Sequence, residues 1–148
     1  MHGKTIMTDE HYSPIELTED YVLGVSQIDT EHKKLVEIYN QLVAAIATDN
    51  ARQLRETTLL QLFDYAAYHF VNEEKVMLAS DFPGYQSHCR QHINFTESLN
   101  RLSADADQQS PEAALELLTI FVGQWIRGHI LISDKQIGEH LLRLPTVL

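Results

Sequence analysis

Eight histidines stand in a chain of 148 residues, and several are spaced as if to act together. In YHFVNEEKVM, residues 68 to 77, His69 and Glu73 are four apart; in HCRQH, His88 and His92 are four apart. Residues at that separation share one face of a helix. Imidazole nitrogens and carboxylate oxygens on a common face are ligands for transition metals such as iron and zinc. A lone inward histidine is more often a hydrogen-bonded core residue, and an isolated H-x-x-x-H is weak evidence for a metal. A constellation is a different matter. Each buried polar group left without a partner costs about 1–3 kcal/mol, and a charge costs more, whereas one metal centre satisfies many such groups at once.

The elements that must position these residues are legible in the apolar spacing. A first helix is expected to open after Asp29 as N-cap and to end near Thr48-Asp49-Asn50, with Leu35, Val36, Tyr39, Leu42, Val43 and Ile46 on its inner stripe. His32 falls on that stripe. A second helix is expected from Ala51 to Leu78, stopped by DFPGY, with Leu54, Leu62, Ala66, His69, Phe70, Glu73 and Met77 inward. Glu74, rotated by about 100° from Glu73, should be solvated. A third helix, Tyr85 to Ala104, points His88, His92, Phe95, Leu99 and Leu102 inward. A fourth begins at Pro111, runs to about Ile132 and carries Leu115, Leu118, Val122, Trp125 and His129 on one face. Ser133-Asp134-Lys135-Gln136 resembles a capping box opening a short fifth helix with Ile137, Leu141 and Leu142. Asp134 is five residues beyond His129, about 140° away on a regular helix, so it needs a break at Ser133 to swing back toward the other ligands. Acidic residues also favour a first helical turn for reasons unrelated to metals. His2, His11 and His140 fall on no stripe and read as surface residues.

Every long helix thus aims at least one histidine inward. Short connections between four such helices imply an all-α fold, an up-down-up-down four-helix bundle. One domain is expected over residues 1–148, with residues 1–28 an irregular N-terminal arm and 29–143 the helical bundle, closed by a short C-terminal helix.

Composition narrows the function. The formal charge of −10 repels phosphate backbones, and no basic stripe offsets it, so nucleic acid is not an expected partner. No apolar run is expected to reach membrane-spanning length, and the N-terminus MHGKTIMTDEHYSP lacks the apolar segment of a secretory signal; a cytoplasmic location without membrane insertion is the default. The single cysteine, Cys89, excludes an intramolecular disulfide and a thiolate cage.

At this point the chain resembles the hemerythrin family, in its bacterial branch. The matching pieces are GVSQIDTEHKKL around His32, HFVNEEKVM with His69 and Glu73, FPGYQSHCRQH with His88 and His92, and WIRGHILISDKQ with His129 and Asp134. All seven ligand positions of the family pattern are filled. Two departures stand near them: Leu17, where many members carry tryptophan, and Thr30-Glu31, in place of a more usual acidic residue and glutamine. Neither is expected to touch a ligand.

The resemblance implies two iron ions bridged by Glu73, Asp134 and an oxo or hydroxo group, with His88, His92 and His129 on one ion and His32 and His69 on the other. Five histidines, two bridging carboxylates and a bridging oxygen fill all but one position of two octahedral ions. The open one then belongs to the ion with two histidines. By the same resemblance Leu35, Phe70, Trp125, Ile126 and Ile130 wall an apolar O2 pocket, with small anions such as azide or chloride as inhibitory ligands. The function implied is reversible O2 binding for storage, delivery or sensing, not catalysis. The competing readings are an O2- or redox-sensing input domain of a longer signalling protein, a di-iron oxidase or peroxidase, and a zinc site, which would be colourless and inert to O2.

Overall fold

The computed structural model describes residues 12–46 and 49–145, and every regular element among them is helical. Four long helices, α1 (Ser26–Ala45), α2 (Ala51–Ala79), α3 (Tyr85–Asp105) and α4 (Pro111–Gly128), form a helical bundle. Two short 3-10 turns, Glu19–Tyr21 and Ala106–Gln108, lie before α1 and after α3. A π-helical segment, His129–Asp134, carries α4 without a break into α5 (Lys135–Arg143). α1 packs on α2 and α4, and α3 packs on the same two helices.

The helix ends follow local chemistry, though not always as expected. α1 opens three residues before Asp29, with Val25 at the N-cap and no side-chain cap. Asp29 instead sits in the first turn, where its carboxylate accepts the N–H groups of Leu23 at 2.8 Å and Gly24 at 3.1 Å. It holds the incoming chain rather than the helix end. Gly24, at φ 97°, makes the reversal there that side chains with a Cβ disfavour. α2 stops as the turn DFPGY demands: Asp81 adopts φ 53°, and the Phe82 and Asp81 N–H groups return to the carbonyls of Met77 and Leu78. α4 starts at Ser110, whose hydroxyl accepts the Ala113 N–H at 3.1 Å ahead of a first-turn Pro111.

The core is divided in two. A large cluster contains Leu35, Tyr39, Leu42, Leu62, Phe70, Phe95, Leu99, Leu115, Val122, Ile126 and Ile130. A small one contains Leu23, Ile28, Met77 and Ile137. Along α1, His32 separates Ile28 from Leu35; along α2, Glu73 separates Met77 from Phe70; beyond α4, Asp134 separates Ile137 from Ile130. The candidate ligands therefore form a polar layer between two apolar ones.

Several expectations are corrected. Leu102 is only half-buried and Leu142 is 85% exposed, so neither is core. His140 is half-buried, and its Nε2 lies 2.6 Å from the Ser80 carbonyl, tying α5 to the end of α2. His2 and His11 lie outside the described residues. The continuous helical column Pro111–Arg143 is, by length and composition, long and apolar enough to cross a membrane, contrary to the expectation from sequence. Its apolar residues Leu115, Leu118, Val122, Ile126, Ile130 and Ile137 are, however, buried against the other helices, which is the pattern of a bundle's central helix.

Candidate metal centre

The helical repeat brings the inward residues together. His32 comes from α1, His69 and Glu73 from α2, His88 and His92 from α3, and His129 and Asp134 from the π-helical segment; all seven are at most 4% exposed. The position of Asp134 rests on that segment. No break occurs at Ser133, and the expected capping box is absent. A π-helical turn closes i to i+5, so residues five apart stack where a regular α-helix would splay them. The result is a separation of 2.9 Å between His129 Nε2 and Asp134 Oδ1.

The two carboxylates divide their oxygens between two groups of histidines. Glu73 Oε2 lies 3.3 Å from both His32 Nε2 and His69 Nε2, and its Oε1 lies 2.8 Å from His88 Nε2 and 2.9 Å from His92 Nε2. Asp134 Oδ2 is 2.9 Å from His32 Nε2, while Oδ1 is 2.9 Å from His88 Nε2 and from His129 Nε2. Two donor sets result, His88, His92 and His129 on one side and His32 and His69 on the other, each completed by the same Glu73 and Asp134. Within each set the ligand atoms lie within 4.8 Å of one another.

This donor set fits metal ions better than it fits itself. Two ligand atoms at about 2.1 Å from one ion and at right angles lie about 3.0 Å apart, close to the nitrogen–oxygen distances observed. Asp134 Oδ1 and Oδ2 and His129 Nε2 are buried and make no aligned hydrogen bond, despite their close neighbours. Leaving such atoms unsatisfied costs about 1–3 kcal/mol each, and a cation between them removes the cost.

Without a metal, the cluster must hold protons. Burial would lower the His32 pKa, but the carboxylates of Asp134 and Glu73 beside it outweigh burial and raise it to about 9. His88 is raised to about 9 by the same two carboxylates against the same opposition. Burial would lower His129, but the charge of the adjacent Asp134 carboxylate overcomes it and raises the pKa. Burial pushes Glu73 up, yet the surrounding imidazoles of His129, His32, His69 and His88 hold it well below the usual carboxylate range. For Asp134, burial and the charge of Glu73 push up, and His129 and His32 win, holding it low. A metal entering this site displaces protons from the imidazoles.

The outward ring nitrogens reveal residues that the sequence reading missed. His69 Nδ1 donates to Glu31 Oε1 at 2.7 Å, and Glu31 Oε2 accepts from Asn72 Nδ2 at 2.7 Å and Gln27 Nε2 at 3.0 Å. Glu31 is only 3% exposed, so the expectation that Thr30-Glu31 touches no ligand is wrong for Glu31. Its signal was present: Ile28, Glu31, Leu35, Ile38 and Leu42 follow spacings of three and four. His92 Nδ1 donates to Glu74 Oε2 at 2.9 Å, so Glu74 is not simply solvated; its side chain is 30% exposed. His129 Nδ1 donates to Gln91 Oε1 at 2.9 Å. These contacts put the proton on Nδ1 and leave the Nε2 lone pair facing inward.

Of the expected pocket residues, Leu35, Phe70, Ile126 and Ile130 are buried and Trp125 is half-buried. Phe70 stacks on His92, centroids 3.9 Å apart and planes 5° apart. Trp125 stacks on His129 at 4.2 Å and 12°. Phe70 also meets His69 at 5.9 Å and Trp125 at 5.6 Å. The two rings thus brace histidines of the three-histidine side.

Known proteins are similar to this chain over most of its length. Residues 23–141 match the family profile described as Hemerythrin HHE cation binding domain. A bacteriohemerythrin of Clostridium acetobutylicum is 30% identical over 125 residues, covering 80% of this chain and 94% of that protein. A hemerythrin of Themiste dyscrita is 33% identical over 107 residues, covering 72% and 76%, and a myohemerythrin of Riftia pachyptila is 26% identical over 124 residues, covering 84% and 91%.

Proposed function

The chain belongs to the hemerythrin family, and on that premise we propose that its seven clustered side chains hold two iron ions and bind O2 reversibly, for storage, delivery or sensing. The observation that carries this reading is the pair of donor sets sharing Glu73 and Asp134, each carboxylate turning one oxygen to each set. His88, His92 and His129 would hold one ion, and His32 and His69 the other. Two ferrous ions held there would supply two electrons to O2 and recover them on its release.

The chain's own residues determine how that chemistry runs. Five neutral imidazoles and two carboxylates donate less negative charge than the four carboxylates and two histidines of ferritin-like di-iron sites. Weaker anionic donation stabilises high oxidation states less, which favours return of O2 over cleavage of its bond. The His32–His69 set brings one histidine fewer than the other, so O2 would bind on its side. Leu35, Phe70, Trp125, Ile126 and Ile130 would form the apolar surroundings of the bound O2, with Phe70 reaching His69 as well as His92, and would exclude water and anions that drive oxidation. Glu31, Glu74 and Gln91 hold His69, His92 and His129 in the tautomer that presents Nε2. The short connections and pairwise packing support an up-down-up-down order for the bundle, within a single domain spanning residues 1–148.

The test is optical. Iron-loaded protein, reduced without oxygen, should be colourless, gain a visible band on meeting O2 and lose it when O2 is removed. Zinc-loaded protein should show none of this. An iron-loaded spectrum that ignores O2 would overturn the reading.

A further inference from the structure

α2 differs from the other long helices in carrying apolar residues on both faces. Its inner stripe, Leu62, Ala66, His69, Glu73 and Met77, is buried. On the opposite side Leu60 is 67% exposed, Tyr68 54%, Val71 52% and Leu78 59%. Among the described residues α1 exposes no large apolar side chain, α3 exposes Ile93 and α4 exposes Leu117. By the helical repeat, Leu60, Asp64, Ala67, Tyr68, Val71, Lys75 and Leu78 fall within an arc of about 100° directed away from the core. Four large apolar groups in one outward arc need a cover.

The charges in this arc say what covers it. Asp64 and Lys75 are both exposed, and neither forms an ion pair among the described residues. Read in order, the face runs Leu60, Asp64, Tyr68, Val71, Lys75, Leu78. Read backwards, it is again leucine, charge, apolar pair, opposite charge, leucine. The midpoint lies between His69 and Phe70. If a second copy lays its α2 antiparallel on the first, Asp64 meets Lys75, Tyr68 meets Val71 and Leu60 meets Leu78, and each contact occurs twice. That reciprocity, in which one residue meets a second and the second meets the first, is what a twofold interface requires. A parallel pairing would set Asp64 against Asp64 and Lys75 against Lys75. Asp64 and Lys75 are eleven residues apart, about 16 Å along the axis, so they cannot serve each other within one helix.

We propose that the outer face of α2 is a self-complementary surface through which two copies of this chain associate antiparallel. The contact strip spans about 27 Å of helix, less than the roughly 800 Å² per partner of a standard interface, so the association should depend on concentration. The proposal is independent of which metal, if any, the buried layer holds.

The test is sedimentation equilibrium of the full chain from micromolar to millimolar concentration, with far-UV melting to verify that each variant is folded. The parent should be a dimer at the upper end. Val71→Asp should leave only monomer. Asp64→Lys and Lys75→Asp should each weaken the dimer by about tenfold, because each replaces two exposed attractions by repulsions. The double reversal D64K/K75D should restore it, and Leu117→Asp on α4 and Lys34→Ala beside Asp64 should change nothing. A chain that stays monomeric throughout, as it would if this face were reserved for another protein, overturns the proposal. So does a dimer that ignores Val71→Asp, or a double reversal no better than its single parents; the charge pair keeps the test decisive should Val71→Asp not fold.

Discussion

Replacing Glu31 by alanine should damage one half of the metal centre and spare the other. The carboxylate is 3% exposed and accepts from His69 Nδ1, Asn72 Nδ2 and Gln27 Nε2. Gln27 lies at the surface and can turn to water; His69 is buried and Asn72 half-buried, and both are left without their acceptor. At about 1–3 kcal/mol for each of the two stranded groups, the metal-free protein should lose about 2–6 kcal/mol of stability. Loss of the partner that orients a ligating histidine typically lowers metal affinity about 10–100-fold, and only the ion held by His32 and His69 should feel it. Glu74→Ala is the internal control. Glu74 makes the equivalent contact to His92, but its side chain is 30% exposed, so water can replace it and the loss should stay below about tenfold. Glu31→Gln, which keeps an acceptor for Nδ1 but loses the charge, should fall between. Anaerobic ferrous titration against a competing chelator resolves the two binding steps. Equal losses for Glu31→Ala and Glu74→Ala, or weakening of both steps by Glu31→Ala, would refute the reasoning from burial.

Three further outcomes follow from the same geometry. Glu73→Ala should lose at least one iron, measured by metal analysis after desalting, whereas Glu74→Ala keeps both; equal iron contents would mean that Glu73 is not shared. In the metal-free protein, His32 and His88 are raised from 6.5 to about 9, so their stabilising contribution is full below pH 6.5 and disappears as pH rises through 9. Glu73 and Asp134 are lowered and contribute above the usual carboxylate range, losing effect only in acid. The melting temperature of metal-free protein should therefore peak near pH ~5–6.5 and fall toward pH 9.5, while metal-loaded protein stays flat over that alkaline range; an unchanged metal-free melting temperature would contradict the proton-holding cluster. Leu35→Ala, at a core cost of about 2–5 kcal/mol, should keep the metal count but speed decay of the oxygenated form and raise its sensitivity to azide. Leu115→Ala, equally buried but in the far half of the large cluster, should not; similar decay rates would remove Leu35 from the pocket.

What could be read from the sequence was whatever depends on one helix at a time. His32, His69, Glu73, His88, His92 and His129 each sit at a heptad-like position among apolar residues, and the helical repeat alone sends them inward. Asp134 reaches the cluster by a route other than the one its sequence suggests. A cap at Ser133 was expected, but the backbone widens into a π-helical segment, a choice that apolar periodicity does not encode. Asp29 looked like an N-cap, since nothing in its own neighbourhood shows that it holds the preceding turn through Leu23 and Gly24. The role of Glu74 was hidden because its partner, His92, belongs to another helix. Glu31 was readable and was overlooked: a carboxylate between Ile28 and Leu35 on an apolar stripe must have a buried partner.

Two iron ions held by these seven side chains should take up O2 and give it back intact. Oxygen uptake by the reduced, iron-counted protein, measured with an oxygen electrode and followed by degassing under inert gas, tests it most directly. The account predicts one O2 bound for every two irons and nearly the same amount recovered as O2. Uptake without recovery, with hydrogen peroxide or water as the product, would contradict it.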